Sequence, residues 1–221
     1  MREADAFLKT ARAFGAEIGN RVPLKFQFWY DFASPYSFLS AMRIEGLASS
    51  SGVETEWHPF LLGPIFKSQG WDTSPFNIYE AKGRYMWRDI ERLCDKYRIP
   101  FNKPSQFPRN SVLASRIAVF GEHQDWGREF SKLVYRFNFV EDKDISDEGV
   151  ISSILDSIGQ DPARIIAGAT SGENKNKLRK QTEEAVSKGI FGAPAFVIGD
   201  ELFWGNDRLE DALDWFKRRR G

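Results

Sequence analysis

Phe26-Gln-Phe-Trp-Tyr-Asp-Phe-Ala-Ser-Pro-Tyr-Ser37 is the stretch on which the reading of the fold turns. Leu24, Phe26, Phe28 and Tyr30 alternate with more polar neighbours at the strand period of two. Beyond Pro35, Phe38, Leu39, Met42 and Leu47 follow the helical period instead. A strand therefore runs into a helix through Ser34-Pro35, with Ser34 at the N-cap and Pro35 at the first helical position. Unpaired N–H groups and the positive end of the helix dipole meet at such a turn, which suits it to hold an anion. A plain capped helix is the competing reading of the same residues.

Composition narrows what this turn can serve. The 221 residues are 42% apolar and 14% aromatic, with 19 Phe and 7 Trp, enough to bury a sizeable core as one domain with an insertion or as two small ones. Lys+Arg and Asp+Glu balance at 31 each, so no overall charge points to nucleic acid or to an anionic membrane. The apolar runs are too short to span a bilayer. With Cys94 as the sole cysteine, an intrachain disulfide, a Cys-x-x-Cys pair and a cysteine zinc cluster are all excluded. Cys94 shares a helical stripe with Met86, Ile90, Leu93 and Tyr97, which marks it as a core thiol. His58 and His123 are too few for a histidine-rich metal site, so no metal is expected. The start, Met1-Arg-Glu-Ala-Asp5, does not read as a signal peptide, and together with the lack of disulfides this fits a reducing cytoplasm. Any chemistry must come from hydroxyls, amides, carboxylates or a borrowed group.

Residues 1–22, with Phe7, Leu8, Phe14 and Ile18, predict a helical extension that packs on the body or serves a dimer contact. Val53 to His58 alternate as a second strand, followed by a loop over residues 60–67. From 71 to 188 every periodic segment is helical, including the stripes of Leu113, Ile117 and Phe120 and of Phe130, Leu133, Val134 and Phe137. Ala195–Ile198, a Gly199-Asp200 turn and Glu201–Trp204 read as a β-hairpin, and Leu209, Ala212, Leu213 and Phe216 as a last helix. Its basic end, Lys217 to Arg220, suits a helix C-terminus better than a nucleic-acid patch. Strand, helix, strand, helical insertion, hairpin and helix make an α/β chain: a thioredoxin-like fold, residues 23–70 and 189–221, with a large all-helical insertion, 71–188, between the second strand and the C-terminal hairpin.

That layout sets Gly189-Ile-Phe-Gly-Ala-Pro194-Ala195 opposite Ser34. A cis Ala193–Pro194 bond would turn the Ala193 main chain outward to pair with an extended peptide; an ordinary strand-entry proline is the alternative.

Three blocks, Asp31-Phe-Ala-Ser-Pro-Tyr-Ser-Phe-Leu39, Gly189 to Ala195, and Phe203-Trp-Gly-Asn-Asp-Arg-Leu209, resemble the signature of the 2-hydroxychromene-2-carboxylate isomerase family. That family is related to kappa-class glutathione transferases within the DsbA-like thioredoxin superfamily, and the resemblance runs from about residue 24 to 218. It implies glutathione as cofactor and supplier of the missing thiol. Ser34 would be the catalytic hydroxyl orienting the sulfur, with Ala193, Pro194, Trp204, Asn206 and Asp207 completing the glutathione site, although Asn206 and Asp207 also read as plain helix caps. The implied reaction converts 2-hydroxychromene-2-carboxylate-type compounds to trans-o-hydroxybenzylidenepyruvate-type products by reversible thiolate addition. For the small aromatic carboxylate substrate, Lys67, Trp71 and Asn110 are the binding candidates, with Phe76, Tyr85 and Trp87 as further aromatic wall; each also reads as an ordinary loop, cap or core residue. A homodimer is implied as well. A kappa-type transferase and a non-catalytic peptide-binding module remain as alternatives.

Overall fold

The computed structural model describes residues 24–220. The helix expected over 1–22 lies outside them. Strand β1 (Phe26–Tyr30) leads through the Ser34 turn into helix α1 (Pro35–Ser50), and β2 (Thr55–Pro59) returns parallel to β1. Eight helices follow before the hairpin: α2 (Leu62–Ser68), α3 (Pro75–Ile78), α4 (Glu80–Tyr97), α5 (Val112–Phe120), α6 (Gly127–Phe139), α7 (Glu148–Ser157), α8 (Pro162–Ala169) and α9 (Gly172–Ser187). β3 (Ala195–Ile198) and β4 (Glu201–Trp204) form the hairpin, and a 3-10 turn at Asn206–Arg208 enters α10 (Leu209–Arg220). The sheet runs β2-β1-β3-β4, parallel between β1 and β2 and antiparallel elsewhere, with Phe28 opposite Trp57 and Phe196. This is the thioredoxin-like fold with its helical insertion.

The strand period decides which side chains meet which helices. Phe26, Phe28, Tyr30, Phe196 and Ile198 point to one face, into a core shared with α1, α4, α5, α6 and α10. Phe28 stacks on Phe196 at 5.6 Å and meets Trp57 edge-on at 5.0 Å. Burying each such ring contributes about 1.5–3 kcal/mol over leaving it exposed. Trp29, Ala195 and Val197 point to the other face, against Phe60, Ile65, Ala185 and Ile190. The β1–α1 junction is thus clamped from both faces, which is what holds Ser34 still.

One expectation is corrected. The segment read as a loop over 60–67 is mostly α2, because Pro64 falls in its first turn, where a proline is tolerated, and Gly63-Pro64 is therefore not a breaker.

Candidate active site

The N-terminus of α1 and the entry to β3 meet at one point. Ser34 caps α1 from an extended backbone, φ −86° and ψ 116°, and its Oγ accepts the Ser37 N–H at 3.1 Å. The hydroxyl hydrogen is directed across the fold to the Ala193 carbonyl at 2.9 Å. A carbonyl only accepts, so Ser34 must be the donor there. The Ala193–Pro194 bond is cis, and the Pro194 carbonyl accepts the Gly205 N–H at 2.9 Å. Gly192 lets the Trp204 indole lie against the backbone, since a Cβ at 192 would stand 2.4 Å from Trp204 Nε1. Trp204 in turn meets Phe191, ring centroids 4.7 Å apart, and both rings stay exposed.

A cleft of about 1540 Å³ opens from this point. Its walls are the Ser34 turn, α2, the segment leading into α3, the outer stripe of α4, residues 107–112, and the strand-end segments 191–193 and 204–208. That exceeds the roughly 300–1,000 Å³ usual for one small ligand, so a cofactor and a substrate can share it.

Asp31 ties three of these walls together. Its buried carboxylate accepts from the Ala33 amide at 2.8 Å, the Leu62 amide at 2.7 Å and the Ser111 hydroxyl at 2.9 Å. Burial raises its pKa, and these three donors partly offset the rise. Arg109 buttresses the same turn from behind. Its buried guanidinium donates to the Asn138 carbonyl at 3.2 Å and to Asn138 Oδ1 at 3.1 Å, and pairs with Asp142. Asn138 Nδ2 then donates to the Phe32 carbonyl at 3.0 Å. Tyr36, in the first turn of α1, donates its hydroxyl to Asp89 of α4 at 3.0 Å; burial and then that carboxylate raise its pKa.

At the far end Asn206 is 2% exposed, and its Oδ1 accepts from Ser40 Oγ at 3.1 Å and Arg43 Nη1 at 3.0 Å. Its Nδ2 is buried with no partner. Such an orphan donor costs about 1–3 kcal/mol unless a ligand supplies the acceptor. Asp207 is exposed and pairs with Arg208 at 3.0 Å, and Arg208 also holds Asp211 at 2.7 Å.

Ser34, Ala193, Trp204, Asn206 and Asp207 therefore border one cleft, joined there by Trp71 and Asn110, while Pro194 lies buried just behind Ala193. Trp71 rests near Phe66, centroids 6.0 Å apart. Asn110 Oδ1 accepts the Val112 amide at 2.9 Å in a local turn just before α5, whose N-cap is Ser111. Lys67 does not border the cleft. From this segment the cleft is lined by Leu62, Gly63, Pro64, Phe66 and Gln69, whereas Lys67 is exposed to solvent. Phe76 and Tyr85 line the cleft, but Trp87 packs behind Phe107, ring centroids 4.9 Å apart.

Lys82 is the cation the sequence reading missed. Of the basic residues bordering the cleft, Arg109 and Arg208 are committed to carboxylates, whereas the Lys82 ammonium has no carboxylate partner among the described residues and sits 4.5 Å from the centre of the Tyr79 ring. A signal for it existed: Lys82, Tyr85, Asp89 and Leu93 run along α4 beside the buried stripe of Met86, Ile90 and Cys94. Cys94 itself is buried in the core, where burial pushes its thiol up to about 12. Among the described residues no cluster suits a metal ion, and no helix is long and apolar enough to cross a membrane.

The chain resembles known proteins over most of its length. A 2-hydroxychromene-2-carboxylate isomerase from Sphingobium xenophagum is 28% identical over 184 residues, covering 83% of this chain and 93% of its own. The human glutathione S-transferase kappa 1 is 26% identical over 203 residues, with coverage of 86% and 89%. Among solved structures, a 2-hydroxychromene-2-carboxylate isomerase superposes with a TM-score of 0.78 at 24% identity, covering 88% of this chain and 96% of that one. The family model of the DSBA-like thioredoxin domain matches residues 25–216, from the start of the sheet almost to the end of α10, and the chain belongs to that family.

Proposed function

We propose that the protein is a glutathione-dependent isomerase that converts 2-hydroxychromene-2-carboxylate-type compounds to trans-o-hydroxybenzylidenepyruvate-type products. The observation that carries this reading is Ser34. Its hydroxyl sits at a helix N-terminus, bonded to the carbonyl beside Pro194, at the edge of a cleft from which the chain's one cysteine is absent.

The residues fit a tripeptide thiol. Ala193 offers main-chain groups beside Pro194 for pairing with an extended backbone. Asn206 Nδ2 is a buried donor in want of an acceptor, and the Asp207 carboxylate beside it suits an ammonium group. Glutathione, when bound, supplies a thiolate able to add to a conjugated double bond and leave again. When a thiol binds, the Ser34 hydroxyl exchanges the Ala193 carbonyl for the sulfur, and with the Tyr36 amide and the positive end of α1 it holds negative charge there, keeping the sulfur ionised near neutral pH. Lys82 holds the carboxylate of a bound molecule, and Trp71, Phe76 and Tyr85 cover its apolar face. The site's work is positioning and charge stabilisation.

The names of the relatives support an isomerase or a transferase. Thiol balance during turnover decides between them. With a hydroxychromene carboxylate and reduced glutathione, the isomerase reading predicts product formation at constant free thiol. Loss of one thiol per product would make the protein a kappa-type transferase instead.

A further inference from the structure

We propose that Arg43 is a positioning residue of the ligand site: with Ser40 it locks the Asn206 carboxamide so that Nδ2 is the group presented to a bound ligand. The inference rests on the glutathione reading above.

The nitrogen and the oxygen of an asparagine carboxamide look alike in shape, so which faces outward depends on what the neighbours demand. Arg43 has only donors, and its Nη1 lies 3.0 Å from Asn206; the atom facing it must be the oxygen. Ser40 Oγ supplies a second donor to the same oxygen at 3.1 Å. With Oδ1 doubly occupied, the carboxamide cannot turn over without setting its NH₂ against the guanidinium. Nδ2 is left buried and unpaired on a residue that borders the cleft.

Arg43 is itself held from three sides. Its Nη2 pairs with Glu210 in the first turn of α10, its guanidinium lies 3.6 Å above the Tyr97 ring at the end of α4, and its side chain is only 10% exposed. One residue of α1 thus registers α4 and α10 against the turn that carries Asn206. A ligand acceptor, such as the carboxylate of a γ-glutamyl group, then meets a donor fixed in advance rather than one that must be ordered on binding.

The test is a double-mutant cycle on glutathione affinity, measured by calorimetry with Arg43→Met, Asn206→Ala and the double variant. Arg43→Met should weaken glutathione binding about tenfold and raise its KM, leaving kcat at saturating glutathione unchanged. The double variant should bind no worse than Asn206→Ala alone. Additive losses, or unchanged affinity in Arg43→Met, would overturn the proposal, because a role in helix packing alone does not couple to Asn206. Ser40→Ala removes the second donor with little disturbance to the fold, and its loss should be coupled to Asn206→Ala in the same way. Additivity there overturns the lock even if Arg43→Met does not fold. Failure of the unaltered protein to bind glutathione would instead remove the reading on which the inference rests.

Discussion

The Ser34 hydroxyl accepts from Ser37 and donates to Ala193, and the same hydrogen is the one offered to sulfur when a thiol binds, so removing it should injure chemistry more than binding. Ser34→Ala is expected to bind glutathione within a few-fold of the unaltered protein and to lose roughly two decades of isomerisation rate, the usual worth of one oriented donor. Unchanged activity would reduce the residue to a helix cap. Lysine placement gives a second contrast. Lys82→Met should raise KM for a carboxylate ligand about tenfold, while Lys67→Met should leave it unaltered, because only Lys82 borders the cleft. Steady-state kinetics on the pair checks this, and equal effects would contradict it. Ser34 was legible in the sequence as the cap of a helix that follows a strand, while a role toward sulfur was implied only by the resemblance of the three blocks. Lys82 left only its place on α4 beside the Met86, Ile90 and Cys94 stripe, and an exposed lysine there looks like any solvated one until the neighbouring elements place it.

At the scale of elements, the strands and long helices could be read because each buries one face and so keeps its period. Helix α2 could not. Its seven residues are too few to show a stripe, and Gly63-Pro64 reads as a turn until one sees the proline inside the first turn. The join between elements was also hidden: Asp31 reaches Ser111, 80 positions away, and no local pattern announces such a bond. Asp31→Asn tests that join. The new NH₂ would replace either Oδ1, which the Ala33 amide and the Ser111 hydroxyl use, or Oδ2, which the Leu62 amide uses, leaving at least one buried donor unpaired. A loss of about 2 kcal/mol in stability is expected, together with weaker ligand binding as the α2 wall loosens. A variant with unaltered urea midpoint would show that the carboxylate is not what holds the three walls.

For the whole molecule, the pH dependence of stability follows from carboxyls shifted in opposite senses. The Ser105 amide and the Arg109 guanidinium hold Asp142 below its ordinary value, so its contribution is full above about pH 4 and is lost as pH falls through the lowered value. Asp31 is raised by burial, so its contribution is full below about pH 4 and is lost as pH rises through the raised value. Asp142→Asn should therefore flatten the acid limb of the urea midpoint, and an unaltered limb would contradict the assignment. The order of strands and helices was enough to read the thioredoxin layout, and the three sequence blocks were enough to place Ser34, Ala193 and Asn206 together. The walls supplied by the insertion were not legible, because they depend on how its seven helices, α3 to α9, fold back over the sheet. Those walls and the sheet together are proposed to make a glutathione site. This is tested most directly by calorimetric titration with reduced glutathione, with ultraviolet absorbance of the thiolate followed on the same samples. Saturable binding is expected, with a thiolate band at neutral pH that is lost in Ser34→Ala. Absence of binding at millimolar glutathione would contradict the proposal and leave a thioredoxin-like fold whose cleft serves another ligand.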